Sequence, residues 1–256
     1  MFMRCRALGT GQWGRSEVRN RWRRQTGIRV APATPLAVVA RGHVKRRLSR
    51  GLRGKFPATA FFGTLRSMPT SPQQVLAETR AWVDRVVIGL NLCPFAKAVQ
   101  AKNQVRYLVS DATDEEALLD QLRAEMNRLV ATDPSEVDTT LLIHPGVLTD
   151  FIDFNDFLGL AEEALEDLGH EGVLQVASFH PQYQFEGTDP DDVSNATNRS
   201  PYPTLHLLRE ESVDRAVAAF PEAEAIFEKN IRTMEELGAD GWAELRERCR
   251  VGTTDH

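Results

Sequence analysis

The chain has 256 residues, 31 Lys and Arg against 36 Asp and Glu, a net charge of −5 and a mean hydropathy of −0.34. That length suits one large domain, or one domain with an extension, and 42% hydrophobic residues are enough for a packed core. Three cysteines, Cys5, Cys93 and Cys249, are odd in number and far apart, which argues against a disulfide framework and for a reducing compartment, here the cytoplasm.

Charge is distributed unevenly. Residues 1–67 hold 16 Lys or Arg and a single acid, Glu17, whereas residues 68–256 hold 15 bases and 35 acids. The first segment also contains eight glycines and no sustained apolar periodicity, so it is expected to be a disordered basic extension. Three origins compete: a start assigned too far upstream, with the true start at Met68; an organelle transit peptide; or a basic arm for nucleic acid or an anionic membrane. Its longest apolar stretch, Ala31 to Ala40, is too short and too proline-interrupted to span a bilayer.

From Val75 to Leu90 apolar residues recur at three- and four-residue steps, predicting an amphipathic helix that stops before Pro94. Gln104 to Ser110 alternates into a short strand. Thr113 with Glu116 forms a capping-box pattern ahead of a second helix striped by Leu118, Leu122, Met126 and Leu129. Thr139 to Ile143 reads as a strand covered on both faces. Phe154, Phe157, Leu158, Ala161 and Leu165 stripe a third helix, and Gly169 sits where a C-terminal cap belongs. Gly172 to Phe179 is the next strand. Right-handed crossovers then make these three strands parallel, with their carboxyl ends on one edge. A long polar loop precedes a fourth strand, Thr204 to Leu208, of undetermined direction, followed by helices over 212–220 and 221–237 and a frayed tail from Arg246. The expected fold is α/β, with a mixed, mainly parallel sheet of about four strands flanked by helices, in a single domain over residues 68–245.

Two strands end in the same dipeptide, His144-Pro145 and His180-Pro181. Ligands of open α/β sheets bind outside the carboxyl ends of strands, so these imidazoles are candidate metal ligands or acid/base groups. The alternative is that each simply ends a strand and bonds a loop carbonyl. Ser110 and Asp111 end the first strand at that edge, where they either orient an imidazole or make a turn. Arg199 offers a planar fork for a carboxylate or phosphate, flanked by Asn198 and Ser200, against the alternative of an ion pair with Asp191 or Asp192. Cys93 lacks the partner cysteine of a thiol redox motif, and burial competes with reactivity for it. His206 lies opposite Leu205 and Leu207 on its strand, facing either solvent or the site.

The segments Gly89-Leu90-Asn91-Leu92-Cys93-Pro94-Phe95-Ala96, His144-Pro145 with Leu148-Thr149-Asp150-Phe151, Phe179-His180-Pro181, Asn198-Arg199-Ser200-Pro201-Tyr202-Pro203 and His206-Leu207-Leu208-Arg209-Glu210 resemble the bacterial domain of unknown function family 1415. The resemblance covers about residues 72–237. It implies no activity. It marks Cys93, His144, His180, Asn198, Arg199, Ser200, His206 and Arg209 as positions within family motifs, and its shorter members favour the start at Met68.

The expectation is a small cytosolic enzyme acting on a small anionic metabolite, with His144, His180, Cys93 and His206 as candidate catalytic groups and Arg199, Asn198, Ser200 and Arg209 as candidate binding groups. A divalent metal on His144 and His180 is the candidate cofactor. One alternative is a non-catalytic anion-binding or regulatory module. Another is nucleic-acid binding through residues 1–67, since the acidic remainder repels phosphate backbones.

Overall fold

The computed structural model describes residues 71–219 and 226–250. The expected basic extension, its alternative start and the end of the tail lie outside them.

The first helix, α1, spans Pro72–Trp82, with Ser71 as its N-cap: the hydroxyl accepts from the Gln74 N–H, and Pro72 occupies the first turn, where no N–H is needed. The helix continues over Val83–Ile88 as a π-turn, with Gly89 N–H bonding Asp84 O. A Cβ at Gly89 would collide with the Arg85 carbonyl, which explains glycine there. A short helix not anticipated by periodicity, α2 (Ala96–Ala101), leads into β1 (Val105–Val109). Helix α3 (Glu115–Ala131) is capped by Asp114, whose carboxylate accepts from Ala117 N–H, rather than by the expected Thr113. After β2 (Thr139–Ile143) come α4 (Phe151–Asp167) and β3 (Leu174–Phe179), and Gly169 takes the expected left-handed turn, φ +69°, beyond α4. The long loop contains a 3-10 helix, Val193–Asn198, before β4 (Thr204–Arg209), α5 (Glu210–Ala218) and α6 (Ile226–Arg248). Helix α6 breaks at Gly238, φ +70°, and runs past Arg246, where fraying was expected.

The strand order is β1-β2-β4-β3. Strands β1 and β2 pair in parallel, but β4 pairs antiparallel with both β2 and β3, so the sheet is mixed rather than mainly parallel. β1, β2 and β3 do share one direction, as the crossovers require. The correction concerns β4: it reaches the sheet from a long loop rather than a crossover helix, so nothing forces it parallel, and it wedges between β2 and β3. His144 and His180 therefore stand two strand spacings apart, about 10 Å, and not on adjacent strands.

Alternation along the strands divides the core. Leu142, Leu174, Leu205 and Leu207 face α3 and α4, while Leu141, Ile143 and Phe179 face α1 and the second half of α6. Arg209 ends β4 at the opposite edge from the histidines, about 16 Å along the strand from Thr204. Its Nη2 donates to the carbonyls of Leu129, Thr132 and Val137, satisfying the end of α3 and the chain entering β2. Among the described residues no helix is long and apolar enough to cross a membrane.

Arg209→Leu should therefore lower the free energy of unfolding in urea by about 2–4 kcal/mol, because buried carbonyls lose charge-assisted donors. A loss below about 0.5 kcal/mol would show that water replaces them freely.

Candidate functional site

The carboxyl ends of β2 and β3 are joined by the segment that leads into β4. His144 N–H donates to Pro203 O at 3.0 Å, and His180 N–H donates to Asn198 O at 3.2 Å, so residues 198–203 run across both strand ends. Alternation points both imidazoles to the α4 side. There they stack on the same ring, Phe154, at centroid separations of 5.6 Å for His144 and 5.1 Å for His180. Both histidines are buried, at 1% and 0% relative exposure.

Each imidazole also holds the turn that enters α4. His144 Nδ1 lies 2.9 Å from Val147 O, and a carbonyl only accepts, so Nδ1 carries the proton. His180 Nδ1 accepts from Gln182 N–H at 3.1 Å, which places its proton on Nε2, donating to Leu148 O at 3.3 Å. The two rings are thus opposite tautomers gripping adjacent carbonyls. Between those carbonyls Leu148 adopts φ +54°, a left-handed conformation that costs a non-glycine residue energy and needs such support. Asp150 then caps α4, accepting from Ile152 N–H and Asp153 N–H. His144 Nε2 is left as a buried lone pair with no hydrogen-bond partner.

Burial, which disfavours the imidazolium, pushes the His144 pKa down to about 4, and the His180 ring adds to the effect. At neutral pH His144 is an uncharged acceptor. Among the described residues no group of three or more His, Cys, Asp or Glu is placed to hold a metal ion. Both His180 nitrogens have backbone partners, so of this pair His144 Nε2 alone offers an uncommitted imidazole lone pair. A metal ion at this edge would find one free imidazole nitrogen of the pair, that of His144.

The polar loop is tightly self-satisfied. Asn195 Oδ1 accepts from Phe185 N–H and the Thr188 hydroxyl, and its Nδ2 donates to Asp189 O. Tyr183 is buried, hydrogen-bonds the side chains of Ser178 and Asn198, and packs against Phe151 at 5.2 Å. Asn198 Nδ2 reaches Ser178 O, and the Ser200 hydroxyl donates to Tyr202 O. Half-buried Arg199 donates through Nε to Tyr183 O and through Nη2 to Pro190 O, so two of its three nitrogens pin the loop. Asp191 and Asp192 influence it only through their charge.

Other candidates lie elsewhere. Ser110 donates to Gln121 and Asp111 accepts from Gln121, so neither bonds an imidazole. His206 pairs with Leu141 and Ala177 and lies on the opposite face of the sheet, 6.0 Å from the Phe179 ring. The Thr139 hydroxyl donates to Leu207 O and therefore accepts from His206 Nε2–H at 2.6 Å. Burial pushes the His206 pKa to about 3. Cys93 belongs to the same α1/α6 core, and burial raises its thiol pKa, which favours the unreactive thiol. Arg209, at the far edge, is committed to carbonyls. The sequence reading nominated neither Phe154 nor Tyr183, because an aromatic in a helical stripe or a loop looks like packing. It also passed over Glu78, which is buried in α1 and accepts from the Tyr202 hydroxyl at 2.5 Å; an acid on the apolar stripe of that helix was the available signal.

Together these features define a mixed α/β protein whose histidine-bearing strand ends are closed by a polar loop. Residues 74–244 match the family described as a protein of unknown function (DUF1415), and the chain belongs to that family. No curated protein and no solved structure matches it.

Stability should depend on pH through these histidines. An unfolded histidine binds its proton near pH 6.5, whereas His144 resists it to about pH 4 and His206 to about pH 3. Over that interval the unfolded state holds more protons, so stability falls as pH drops below about 6.5 and levels off below the folded values. The His144 contribution is about 3 kcal/mol, from roughly 1.4 kcal/mol per pKa unit. Urea denaturation at pH 7, 5.5 and 4 should show this decline, with a shallower one for His206→Gln. An equal slope in wild type and variant would contradict the assignment to His206.

Proposed function

We propose that the protein binds a small anionic metabolite at the carboxyl edge of β2 and β3, with His144 Nε2 accepting a hydrogen bond from it and Arg199 recognising its negative charge. The unpartnered Nε2 carries this reading. A buried acceptor without a donor costs about 1–3 kcal/mol, which a hydroxyl or amine of a bound molecule would recover. Loop residues 198–203 support it by holding Arg199 on the segment that crosses both strand ends. Because Nε2 is covered, a ligand reaches it only as the surrounding side chains part.

Binding is favoured over turnover because a base with a pKa near 4 is weak at neutral pH, where an effective general base titrates near the working pH. An enzyme would arise from the same geometry if the bound anion stabilised the imidazolium and raised that pKa. His144 would then take a proton at Nε2 while Val147 O holds its Nδ1–H in place. Cys93 and His206 have no part in either version.

A thermal-shift screen against inorganic phosphate and small hydroxy- and keto-acids tests this reading. At least one anion should raise Tm by several degrees, and the rise should be lost in His144→Phe and in Arg199→Gln. If no anion shifts Tm, or if the shift survives both substitutions, the proposal fails. Turnover of the stabilising compound by wild type, lost in His144→Phe, would select the enzyme version.

A further inference from the structure

The sheet has two edges, β1 and β3. On β3 the Leu174 N–H donates to His170 O at 3.0 Å and Ser178 O accepts from Asn198 Nδ2 at 3.4 Å, so the chain itself occupies both ends of that edge. β1 differs. On its β2 side Gln104 O accepts from Asp138 N–H at 2.9 Å and Ser110 N–H donates to Ile143 O at 2.7 Å. Main-chain groups alternate in direction along a strand, so Arg106 and Leu108 also turn toward β2, while Val105, Tyr107 and Val109 present N–H and C=O groups outward. Among the described residues none of those outward groups has a hydrogen-bond partner.

An unpaired edge is a template for another strand unless something blocks it, commonly a lysine, a proline or a bulge. β1 has none of these, and all five of its residues are only half-buried. Its one charge, Arg106, is spent on Glu125 of α3, which accepts from Nε at 2.7 Å and from Nη2 at 3.1 Å. The sequence Val105-Arg106-Tyr107-Leu108-Val109 also complements itself. Laid antiparallel on a second copy about a two-fold axis at Tyr107, it sets tyrosine against tyrosine, Val105 against Val109, and the Arg106 stem against Leu108.

Charges beside that axis balance as well. The Arg80 guanidinium lies 4.9 Å from the centroid of the Tyr107 ring. The Tyr107 hydroxyl donates to Gln100 Oε1 at 2.9 Å, and Gln100 Nε2 donates to Asp84 Oδ1 at 3.0 Å. Two copies therefore bring two cations and two anions to the axis, and no net charge opposes their approach.

We infer that β1 is an interface for a second copy of this chain, pairing antiparallel with its own counterpart about Tyr107 to make one continuous sheet across a dimer. The outward groups of Val105, Tyr107 and Val109 then form about six main-chain hydrogen bonds between the copies. This stands independently of the anion site, which lies at the carboxyl edge of β2 and β3.

Sedimentation equilibrium of the full chain tests it. The mass should approach twice the 28.7 kDa of one chain as concentration rises. Val105→Pro removes an outward N–H and no bond to β2, a place where an edge strand tolerates proline, and should give a folded monomer by circular dichroism. Leu108→Arg puts like charges directly opposite one another and should also dissociate the dimer. Tyr107→Cys reads the register: facing residues of this kind lie about 5.5 Å apart, within disulfide reach, so mild oxidation should link two copies above the wild-type level. Val105→Cys should not, because its counterpart would stand about 14 Å away. A wild type that remains a monomer up to about 100 μM, a range that captures even weak dimers, would overturn the inference. So would a dimer that persists in both folded edge variants, or one linked through Val105→Cys and not through Tyr107→Cys. If both edge variants misfold, the cysteine pair decides alone, and absence of the Tyr107→Cys link counts against the interface.

Discussion

The buried ends of β2 and β3 impose the constraint on which this edge of the molecule depends. Each end carries a backbone N–H and an imidazole, and burial leaves neither group water to bond. The chain meets that demand with two crossing segments. Residues 198–203 take the backbone N–H groups, and residues 147–148 take the ring N–H groups. Both prolines that follow the histidines help, since they hold the preceding residue extended and turn the chain out of the sheet. The left-handed backbone at Leu148 is sustained by this double grip, and through it the start of α4 is fixed relative to the sheet. With four bonding groups engaged, one lone pair remains, on His144 Nε2, and the functional proposal rests on that remainder.

The two faces of the sheet divide the candidate residues. On the α3/α4 face His144 and His180 sandwich against Phe154, while on the α1/α6 face His206 and Cys93 are enclosed in a core with Trp82 and Phe179. Trp82 meets the Phe179 ring edge-on at 5.1 Å, an arrangement worth about a kcal/mol beyond burial. A family motif can therefore mark a residue whose work is structural. Arg209 is one example, since its guanidinium closes the end of α3; His206 is another, bridging β4 to Thr139 of β2.

Much of this was readable before any coordinates, and the reasons differ by element. The stripes of α1, α3 and α4 were visible because each helix buries one face. The shared direction of β1, β2 and β3 followed from two helical crossovers. The twin His-Pro endings located the edge, and alternation correctly separated His206 from Leu205 and Leu207. The position of β4 was not legible: a six-residue strand after a long irregular loop pairs where its hydrogen bonds are best satisfied, and nothing local to it specifies the neighbour. Its insertion between β2 and β3 is what separates the histidines. The place of Arg209 was illegible for a similar reason, because antiparallel pairing sends the end of β4 to the edge away from the histidines. The commitments of His180 and Arg199 to main-chain carbonyls lay beyond reach, since they depend on where carbonyls more than a few residues away come to lie.

The central claim is that the histidines are opposite neutral tautomers, with His144 Nε2 bare. Long-range nitrogen–proton correlation NMR of the imidazole rings at pH 7 measures this directly. His144 should show a protonated Nδ1 and an unprotonated Nε2, and His180 the reverse. A proton on His144 Nε2, or the same tautomer on both rings, would contradict the account.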